Sequence, residues 1–244
     1  MKVLAVIPAR YGSTRLPHKV LLHQTGKYLV QHTYEQVRKA RLVDQSLIAT
    51  DDLRIIEATD SFGAIAVLTS RRHRSGTDRI AAVAKTLNYE IIVNIQADEP
   101  EIAPSAIDKA VTLAKQYGVD IATLATPIKN AAELSDPSKA KVVLDKDGFA
   151  LYFSRAPIPF DRDAPRRTHG ALRHIGIYAY KRDALLRFSQ LKPTHLEQTE
   201  QLEQLRALEN GFRIKVGIVK TASFGIDTPE DYKKFVKRVH SRKR

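Results

Sequence analysis

Residues 3–19 read VLAVIPARYGSTRLPHK, an apolar run followed directly by a loop that carries Arg10, Arg15 and Lys19. The uninterrupted apolar run predicts a strand that is buried on both faces. A loop after the first strand of an α/β sheet lies at the edge where such sheets bind ligands. Three cations within ten residues form a site for several negative oxygens, and a triphosphate is the simplest such ligand. The alternative is a solvated charged loop.

Two common phosphate-binding patterns are absent from the sequence. It contains neither Gly-x-x-x-x-Gly-Lys-Ser/Thr nor Gly-x-Gly-x-x-Gly. The first loop therefore offers Arg forks, one Lys and the backbone around Gly12 as anion-binding groups, and is not a P-loop or a dinucleotide fingerprint.

Strand and helix patterns alternate through the first half of the chain. The predicted strands are 3–8, 45–50, 64–68, 90–95 and 119–126, and the predicted helices between them are 28–40, 53–62, 77–87 and 104–117. Asp52 is the expected N-cap of the second helix. This alternation predicts a mostly parallel sheet with helices on both faces.

The sequence of the second half predicts antiparallel strands instead. Residues 139–145 and 149–154 form a hairpin around Lys146-Asp147-Gly148. The sequence thus predicts the α/β class, with a Rossmann-like nucleotide-binding parallel or mixed sheet and an inserted smaller antiparallel lobe. We expect one domain over 1–244, divided into a core (1–130), a lobe for substrate or dimer contacts (131–220) and a C-terminal part (221–244).

Composition limits the class of protein. The 244 residues carry a net charge of +13 and contain no cysteine, which excludes disulfides, thiol catalysis and Cys-ligated zinc. No apolar stretch is long enough to span a bilayer, so a cytoplasmic protein without membrane insertion is expected. A pI near 9.9 leaves a nucleic-acid-binding protein as an alternative of a different class. The basic residues do not form one stripe interleaved with aromatics, which argues against it.

Two aspartates are candidate metal ligands. Asp98 follows the predicted strand 90–95, and Asp227 lies in Gly225-Ile226-Asp227-Thr228-Pro229. Two carboxylates and phosphate oxygens are a typical Mg²⁺ environment. Asp227 followed by Thr-Pro-Glu is also typical of a helix N-cap, so that alternative stays open.

The loop of residues 71–79 is a second candidate nucleotide contact. Ser75 and Gly76 would bring backbone against a flat base, and Arg79 would hold a base edge or a phosphate. The alternative is a basic surface turn that caps the following helix.

One predicted helix, 196–209, carries Glu200, Glu203 and Gln204 on a single face by its i, i+3 and i+4 spacing. From spacing alone this face is either part of a site or an ordinary polar helix surface.

A series of motifs runs along the chain in a specific order, namely Ile7–Tyr11, Arg15–Pro17 with Lys19, Ser75–Arg79, Gln96–Pro100, Tyr152–Arg155, Arg173–Tyr178, Leu196-Glu197, Leu202–Arg206 and Asp227–Asp231. In these motifs the chain resembles the 3-deoxy-manno-octulosonate (Kdo) cytidylyltransferases over nearly its whole length. The family joins CTP to an eight-carbon acidic sugar, releases pyrophosphate, uses Mg²⁺, has a nucleotide-diphospho-sugar transferase type of fold and assembles as a homodimer. The resemblance thus implies CTP and an acidic sugar, not nucleic acid, as partners, and a role in lipopolysaccharide biosynthesis.

The resemblance also implies roles for individual residues. The implied catalytic residues are Arg10, Arg15, Lys19, Asp98 and Asp227, with Asp98 and Asp227 as the metal ligands. The implied nucleotide-binding residues are Ala9, Arg10, Ser13, Arg15, Lys19, Ser75, Gly76 and Arg79. The implied sugar-binding residues are Gln96, Arg155, His174, Tyr178, Glu203 and Gln204. No residue is identified as a general base.

Two positions depart from the family pattern. Ala97 replaces the usual glycine before Asp98, and His18-Lys19-Val20 replaces Gly-Lys-Pro. The same chemistry on a modified Kdo, such as 8-amino-Kdo, or on another sugar acid is therefore an alternative.

Overall fold

The computed structural model describes residues 1–13, 15–73, 75–164, 168–220 and 223–242. The strands are β1 Val3–Ala9, β2 Gln45–Thr50, β3 Ala66–Leu68, β4 Ile91–Asn94, β5 Ile121–Pro127, β6 Lys141–Leu144, β7 Ala150–Ser154, β8 Leu172–Lys181 and β9 Ile214–Ile218. The α-helices are α1 Leu29–Val37, α2 Leu53–Asp60, α3 Gly76–Thr86, α4 Pro104–Ala114, α5 Ala131–Ser135, α6 Arg182–Phe188, α7 His195–Glu200, α8 Gln204–Glu209 and α9 Pro229–Ser241. Within the described ranges, no helix is both long and apolar enough to cross a membrane.

The chain divides into two compact units. Unit 1 comprises Met1–Asp108 and Ser223–Arg244, and unit 2 comprises Lys109–Ala222. The expected single domain, with subdivisions ending at residues 130 and 220, stays a prediction.

Unit 1 contains a parallel sheet in the order β3-β2-β1-β4. All seven residues of β1 are buried, because β1 has a strand on each side and helices cover its faces. β1, β2 and β4 were each predicted to within a residue or two at either end. The parallel arrangement brings the carboxyl ends of these strands to one edge, where the loop after β1 begins.

The C-terminal segment of unit 1 packs against that loop. Leu16 of the loop lies in one apolar cluster with Ile226 and with Phe235 of α9. The Ile226 N–H donates to the Asp98 carbonyl at 2.9 Å. This hydrogen bond sets Asp227 beside Asp98, although 129 positions separate them in the sequence.

Unit 2 contains a mixed sheet. The hairpin β6–β7 is antiparallel, β8 runs antiparallel to both β6 and β5, and β5 runs parallel to β9. The hairpin confirms the antiparallel pattern expected for this half of the chain. Together with the parallel sheet of unit 1, it confirms the predicted α/β fold class.

The prediction of one helix over 196–209 is wrong. Gln201 adopts a left-handed conformation with φ 52°, which ends α7, and α8 starts only at Gln204. The Arg155 guanidinium donates to the carbonyls of Glu200 (2.7 Å) and Gln201 (3.2 Å), so a side chain satisfies the helix end. Glu200 and Glu203 therefore do not share one continuous helix face.

Candidate active site

A cavity of about 350 Å³ opens in unit 1 at the carboxyl ends of β1 and β4. It contains three of the predicted cations and both predicted metal ligands. Its lining comprises Pro8, Arg10, Gly12, Ser13, Arg15, Lys19, Val20, Gly76, Gln96, Ala97, Asp98 and Asp227. The structure thus brings together residues from four separate parts of the sequence that were predicted to act together.

The Lys19 ammonium lies between two carboxylates in this cavity. Lys19 Nζ donates to Asp98 Oδ2 at 2.5 Å and to Asp227 Oδ1 at 3.1 Å. Burial by itself would lower the pKa of Lys19, but the charges and hydrogen bonds of the two carboxylates outweigh burial, so its pKa is raised. Lys19 is therefore a fixed cation, and both carboxylates converge on one point of the cavity.

Arg15 approaches the same point from solvent. Arg15 Nη2 donates to Asp227 Oδ1 at 3.0 Å, and its side chain is 69% exposed. An exposed ion pair of this kind contributes at most about 1 kcal/mol, so Arg15 can exchange its partner for a ligand anion at little cost.

Asp227 does not cap the final helix. The N-cap of α9 is Thr228, whose hydroxyl accepts the Asp231 N–H while the Asp231 carboxylate accepts the Thr228 N–H. The capping interpretation of Asp227 is therefore wrong, because its neighbour performs that role. The Asp227 carboxylate points to Lys19 and Arg15 instead.

The two departures from the family pattern lie at this cavity. His18 adopts a left-handed conformation with φ 53°, which a glycine reaches without strain. The centre of the His18 ring lies 4.0 Å from the centre of the Tyr11 ring, and Arg54 Cζ lies 3.4 Å from the centre of the Tyr11 ring. This stack holds the loop where glycine would leave it freer. Ala97 is 5% exposed, and its carbonyl accepts the Thr33 hydroxyl at 3.0 Å.

Of the predicted nucleotide contacts in the loop before α3, one caps the helix and another lines the cavity. Ser75 caps α3 in a reciprocal box with Asp78, as the alternative interpretation of this loop required. Gly76 lines the cavity, and a Cβ there would lie 3.3 Å from Pro8 Cγ, so the helix start can approach β1 only with a small residue.

Arg79 is fully buried in unit 1. Its Nη2 donates to Asp51 Oδ2 at 2.8 Å, and its Nη1 donates to the Thr69 hydroxyl. Its Nε has no hydrogen-bond partner among the described residues. Ala9, the last residue of β1, is likewise buried and pairs with Thr50 of β2. Nucleotide contacts by Ser75, Arg79 and Ala9 stay predictions.

In unit 2, the Arg155 side chain binds backbone. Besides the carbonyls of Glu200 and Gln201, its Nη1 reaches the Pro137 carbonyl at 2.8 Å. The Glu200 carboxylate in turn accepts the Ser154 hydroxyl at 2.6 Å and the Arg155 N–H at 2.9 Å. Arg155 thus fixes the segment around α7, and its contact with a sugar stays a prediction.

His174 and Tyr178 lie together on β8. Their rings are 5.4 Å apart, and Phe153 meets the His174 ring edge-on at 5.0 Å. Burial lowers the pKa of His174 to about 3. The pKa of Tyr178 lies well above its usual value because of burial and then the charges of Tyr180 and Glu203. Both side chains are therefore neutral near pH 7.

The remaining predicted sugar contacts are Gln96 in unit 1 and Glu203 and Gln204 in unit 2. Glu203 pairs with Arg206 at 3.0 Å. Gln204 is 7% exposed, and its Nε2 has no hydrogen-bond partner within the described part of the chain. A buried donor without an acceptor costs about 1–3 kcal/mol, which a ligand acceptor would relieve. Sugar binding by these residues stays a prediction.

Sequence reasoning missed three residues that hold the predicted ones in place. Asp51 holds Arg79, and its position directly after β2 was a usable signal. Thr123 on β5 bonds to His174 at 2.9 Å. Lys141 is fully buried and donates to three carbonyls, including that of Arg155 at 2.5 Å. Nothing in the local pattern marked Thr123 or Lys141.

Comparison with known proteins gives consistent matches. A family model described as cytidylyltransferase matches residues 4–216. The chain is 47% identical to a 3-deoxy-manno-octulosonate cytidylyltransferase of Geotalea daltonii, over 99% of this chain and all of the relative. It is 51% identical to a protein of the same description from Solibacter usitatus, over 94% of this chain and 91% of the relative.

A solved structure of CMP:2-keto-3-deoxy-manno-octonic acid synthetase complexed with CTP is similar to the whole chain. The TM-score is 0.94 at 41% sequence identity, over 99% of this chain and 100% of that one.

Proposed function

The chain belongs to the family of 3-deoxy-manno-octulosonate cytidylyltransferases, and we propose that it transfers the cytidylyl group of CTP to the anomeric hydroxyl of Kdo. The products are CMP-Kdo, an activated sugar for lipopolysaccharide biosynthesis, and pyrophosphate. The observation that carries this proposal is the cavity of unit 1, in which Arg10, Arg15 and Lys19 face Asp98 and Asp227.

The phosphate end of the reaction follows from the charges in that cavity. Three cations can bind the β- and γ-phosphates, which carry the charge of the leaving pyrophosphate. Lys19 is oriented by two carboxylates before any substrate arrives. Preorganised charge of this kind stabilises the transition state without reorganisation during the reaction.

The reaction itself needs little covalent chemistry from the protein. The anomeric oxygen attacks the α-phosphorus, a P–O bond forms in line with the bond that breaks, and pyrophosphate leaves with the bridging oxygen. The hydroxyl proton passes to a base or to solvent. We name no side chain for that step, and assign the rate acceleration to positioning and charge.

We propose Mg²⁺ as the cofactor, held by Asp98 and Asp227. Both carboxylates lie within 3.1 Å of Lys19 Nζ, so they converge closely enough to face a single cation, and Mg²⁺ held by both would replace Lys19 Nζ between them. Throughout the described residues, no group of three or more His, Cys, Asp or Glu side chains could hold a metal. Two carboxylates completed by substrate phosphates suit Mg²⁺. Mg²⁺ held there would supply positive charge that polarises phosphate oxygens.

The decisive experiment measures pyrophosphate release with CTP and a panel of sugar acids, namely Kdo, 8-amino-Kdo and a sialic acid. We expect turnover with Kdo that needs CTP and Mg²⁺ and that falls about 10²-fold or more in Asp98→Asn. Turnover restricted to 8-amino-Kdo would move the proposal to the modified sugar. No turnover with any sugar acid would refute it.

We also propose that the enzyme acts in the cytoplasm as a homodimer. The resemblance to this family implies a homodimer, and CTP is a cytoplasmic substrate. Sedimentation equilibrium is the test, with twice the 27.4 kDa chain mass expected. A monomer mass at the assay concentration would contradict the dimer.

A further inference from the structure

A hydroxyl is buried beneath the predicted sugar contacts of unit 2. Thr123 of β5 is fully buried, and the pairing of β5 with β8 shifts register directly after it. The shift places Thr123 opposite Tyr178 and Leu124 opposite Ile175, so two residues of β8 bulge out between them.

The Thr123 hydroxyl contacts three polar atoms. Thr123 Oγ1 lies 2.7 Å from the Ile177 carbonyl oxygen, 3.2 Å from the Ile175 carbonyl oxygen and 2.9 Å from His174 Nε2. A hydroxyl has one proton to donate and two lone pairs that accept. The three contacts must be divided accordingly.

Counting protons gives one consistent arrangement. A carbonyl oxygen can only accept, so the Thr123 proton must lie toward the carbonyls, and Ile177 at 2.7 Å is the nearer. If the proton pointed to His174 instead, two oxygens would face each other at 2.7 Å with no hydrogen between them. The hydroxyl therefore accepts from His174, which makes Nε2 the protonated nitrogen of the ring.

We propose that Thr123 is a positioning residue that holds His174 in its neutral Nε2–H tautomer, so that Nδ1 accepts a hydrogen bond from a hydroxyl of the sugar. His174 then recognises a donor on the substrate, and the sugar carboxylate is bound by other groups. The assignment of the tautomer rests on contacts within this chain and does not depend on the substrate. The assignment of its Nδ1 to a sugar hydroxyl rests on the proposed function.

The surroundings of the ring support a neutral imidazole. Phe153 packs edge-on against the His174 ring, and the centre of the Tyr178 ring lies 5.4 Å from the centre of the His174 ring. Burial among these rings lowers the pKa of His174 to about 3, so the ring does not become a cation at the pH of the reaction.

The first test reads the tautomer without any substrate. Nitrogen-15 NMR of the labelled full chain distinguishes protonated from unprotonated ring nitrogens, and His174→Asn identifies the signal among the eight histidines. We expect a protonated Nε2 and an unprotonated Nδ1 from pH 6 to 8. An Nδ1–H tautomer or an imidazolium in the wild-type protein would overturn the proposal, whether or not any variant folds.

The second test uses a matched pair of variants. Thr123→Val keeps the shape but removes the hydroxyl, and Thr123→Ser keeps the hydroxyl. We expect Thr123→Val to lose the pure Nε2–H pattern and to raise KM for Kdo about tenfold, with KM for CTP within about twofold of wild type. Thr123→Ser should retain the tautomer and restore KM for Kdo.

The outcomes separate this inference from the proposed function. Equal loss in the Ser and Val variants, or an unchanged KM for Kdo in Thr123→Val, would overturn the positioning role. A wild-type protein that shows the Nε2–H tautomer but turns over no sugar acid would refute the proposed function and, with it, the assignment of Nδ1 to a sugar. The role of Thr123 in setting the tautomer would still stand.

Discussion

Asp227 and Thr228 are adjacent, yet the structure gives them different tasks, and this difference can be measured. In Asp227→Asn the ion pairs to Arg15 and Lys19 are lost. Asp227 is 43% exposed and Arg15 69% exposed, and Lys19 keeps Asp98 as its partner. The free energy of unfolding should therefore fall by no more than about 1 kcal/mol. Turnover should fall about 10²-fold or more, because one of the two carboxylates proposed to hold Mg²⁺ is removed.

The matched control is Thr228→Ala, which removes the cap of α9 and leaves the Asp227 carboxylate in place. Loss of such a cap costs about 1 kcal/mol, or a fall in Tm of about 2–4 °C for a chain of this size. Turnover at saturating substrate should stay within about threefold of wild type, since less than 1 kcal/mol of transition-state stabilisation is at stake.

The assay is pyrophosphate release at saturating CTP, Kdo and Mg²⁺, beside thermal unfolding followed by circular dichroism. We expect opposite profiles, with activity lost in Asp227→Asn and stability lost in Thr228→Ala. Near wild-type turnover in Asp227→Asn would refute the assignment of its carboxylate to the active site. A larger stability loss in Asp227→Asn than in Thr228→Ala would return Asp227 to a structural role.

Three further predictions follow from single contacts. A Cβ at Gly217 would lie 2.7 and 2.9 Å from two leucine methyl groups, so Gly217→Ala should lower the free energy of unfolding by about 1–3 kcal/mol in urea titrations. The control is Gly225→Ala, which has open space around its Cβ and should leave the free energy of unfolding nearly unchanged. Equal effects of the two substitutions would contradict this packing argument. His174 has a pKa of about 3 when folded, below its unfolded value, so the unfolded chain binds the extra proton and stability falls as the pH falls below about 6.5. Between pH 7 and 5 wild type should lose about 2 kcal/mol that His174→Asn does not lose, and parallel pH profiles of stability would contradict this. Lys19→Met should lower kcat/KM for CTP about 10²-fold or more, and Lys19→Arg should recover part of it; a normal kcat/KM in Lys19→Met would remove Lys19 from the phosphate site.

Features that depend on neighbours in the sequence were predicted well. β2 has its predicted bounds, Gln45–Thr50, because a short apolar run between polar residues has few other solutions. Asp52 caps α2 as expected, since its side chain accepts the Arg54 N–H at 3.1 Å. The convergence of the loop after β1 with Asp98 was also predictable, because parallel strands end at one edge.

Features that depend on distant partners could not be predicted. The break at Gln201 requires Arg155, which lies 46 positions earlier in the sequence and binds the end of α7. Lys141 carries a charge and would be expected at the surface, yet it is completely buried because its ammonium donates to three carbonyls. Asp227 carries the pattern of an N-cap, and only the hydrogen bond of Ile226 to Asp98 directs it to the cavity. The residues next to each of these positions in the sequence give no sign of the distant contact.

The proposed function requires that the unit 1 cavity directs attack to the α-phosphorus of CTP. Phosphorus-31 NMR of a reaction with CTP, Kdo and Mg²⁺ tests it directly, because each route of attack leaves different phosphorus species. We expect pyrophosphate and one new phosphodiester in equal amounts, both formed about 10²-fold or more slowly with Asp98→Asn. Formation of CDP with a phosphorylated sugar or free phosphate would show attack at the γ-phosphorus and would contradict it.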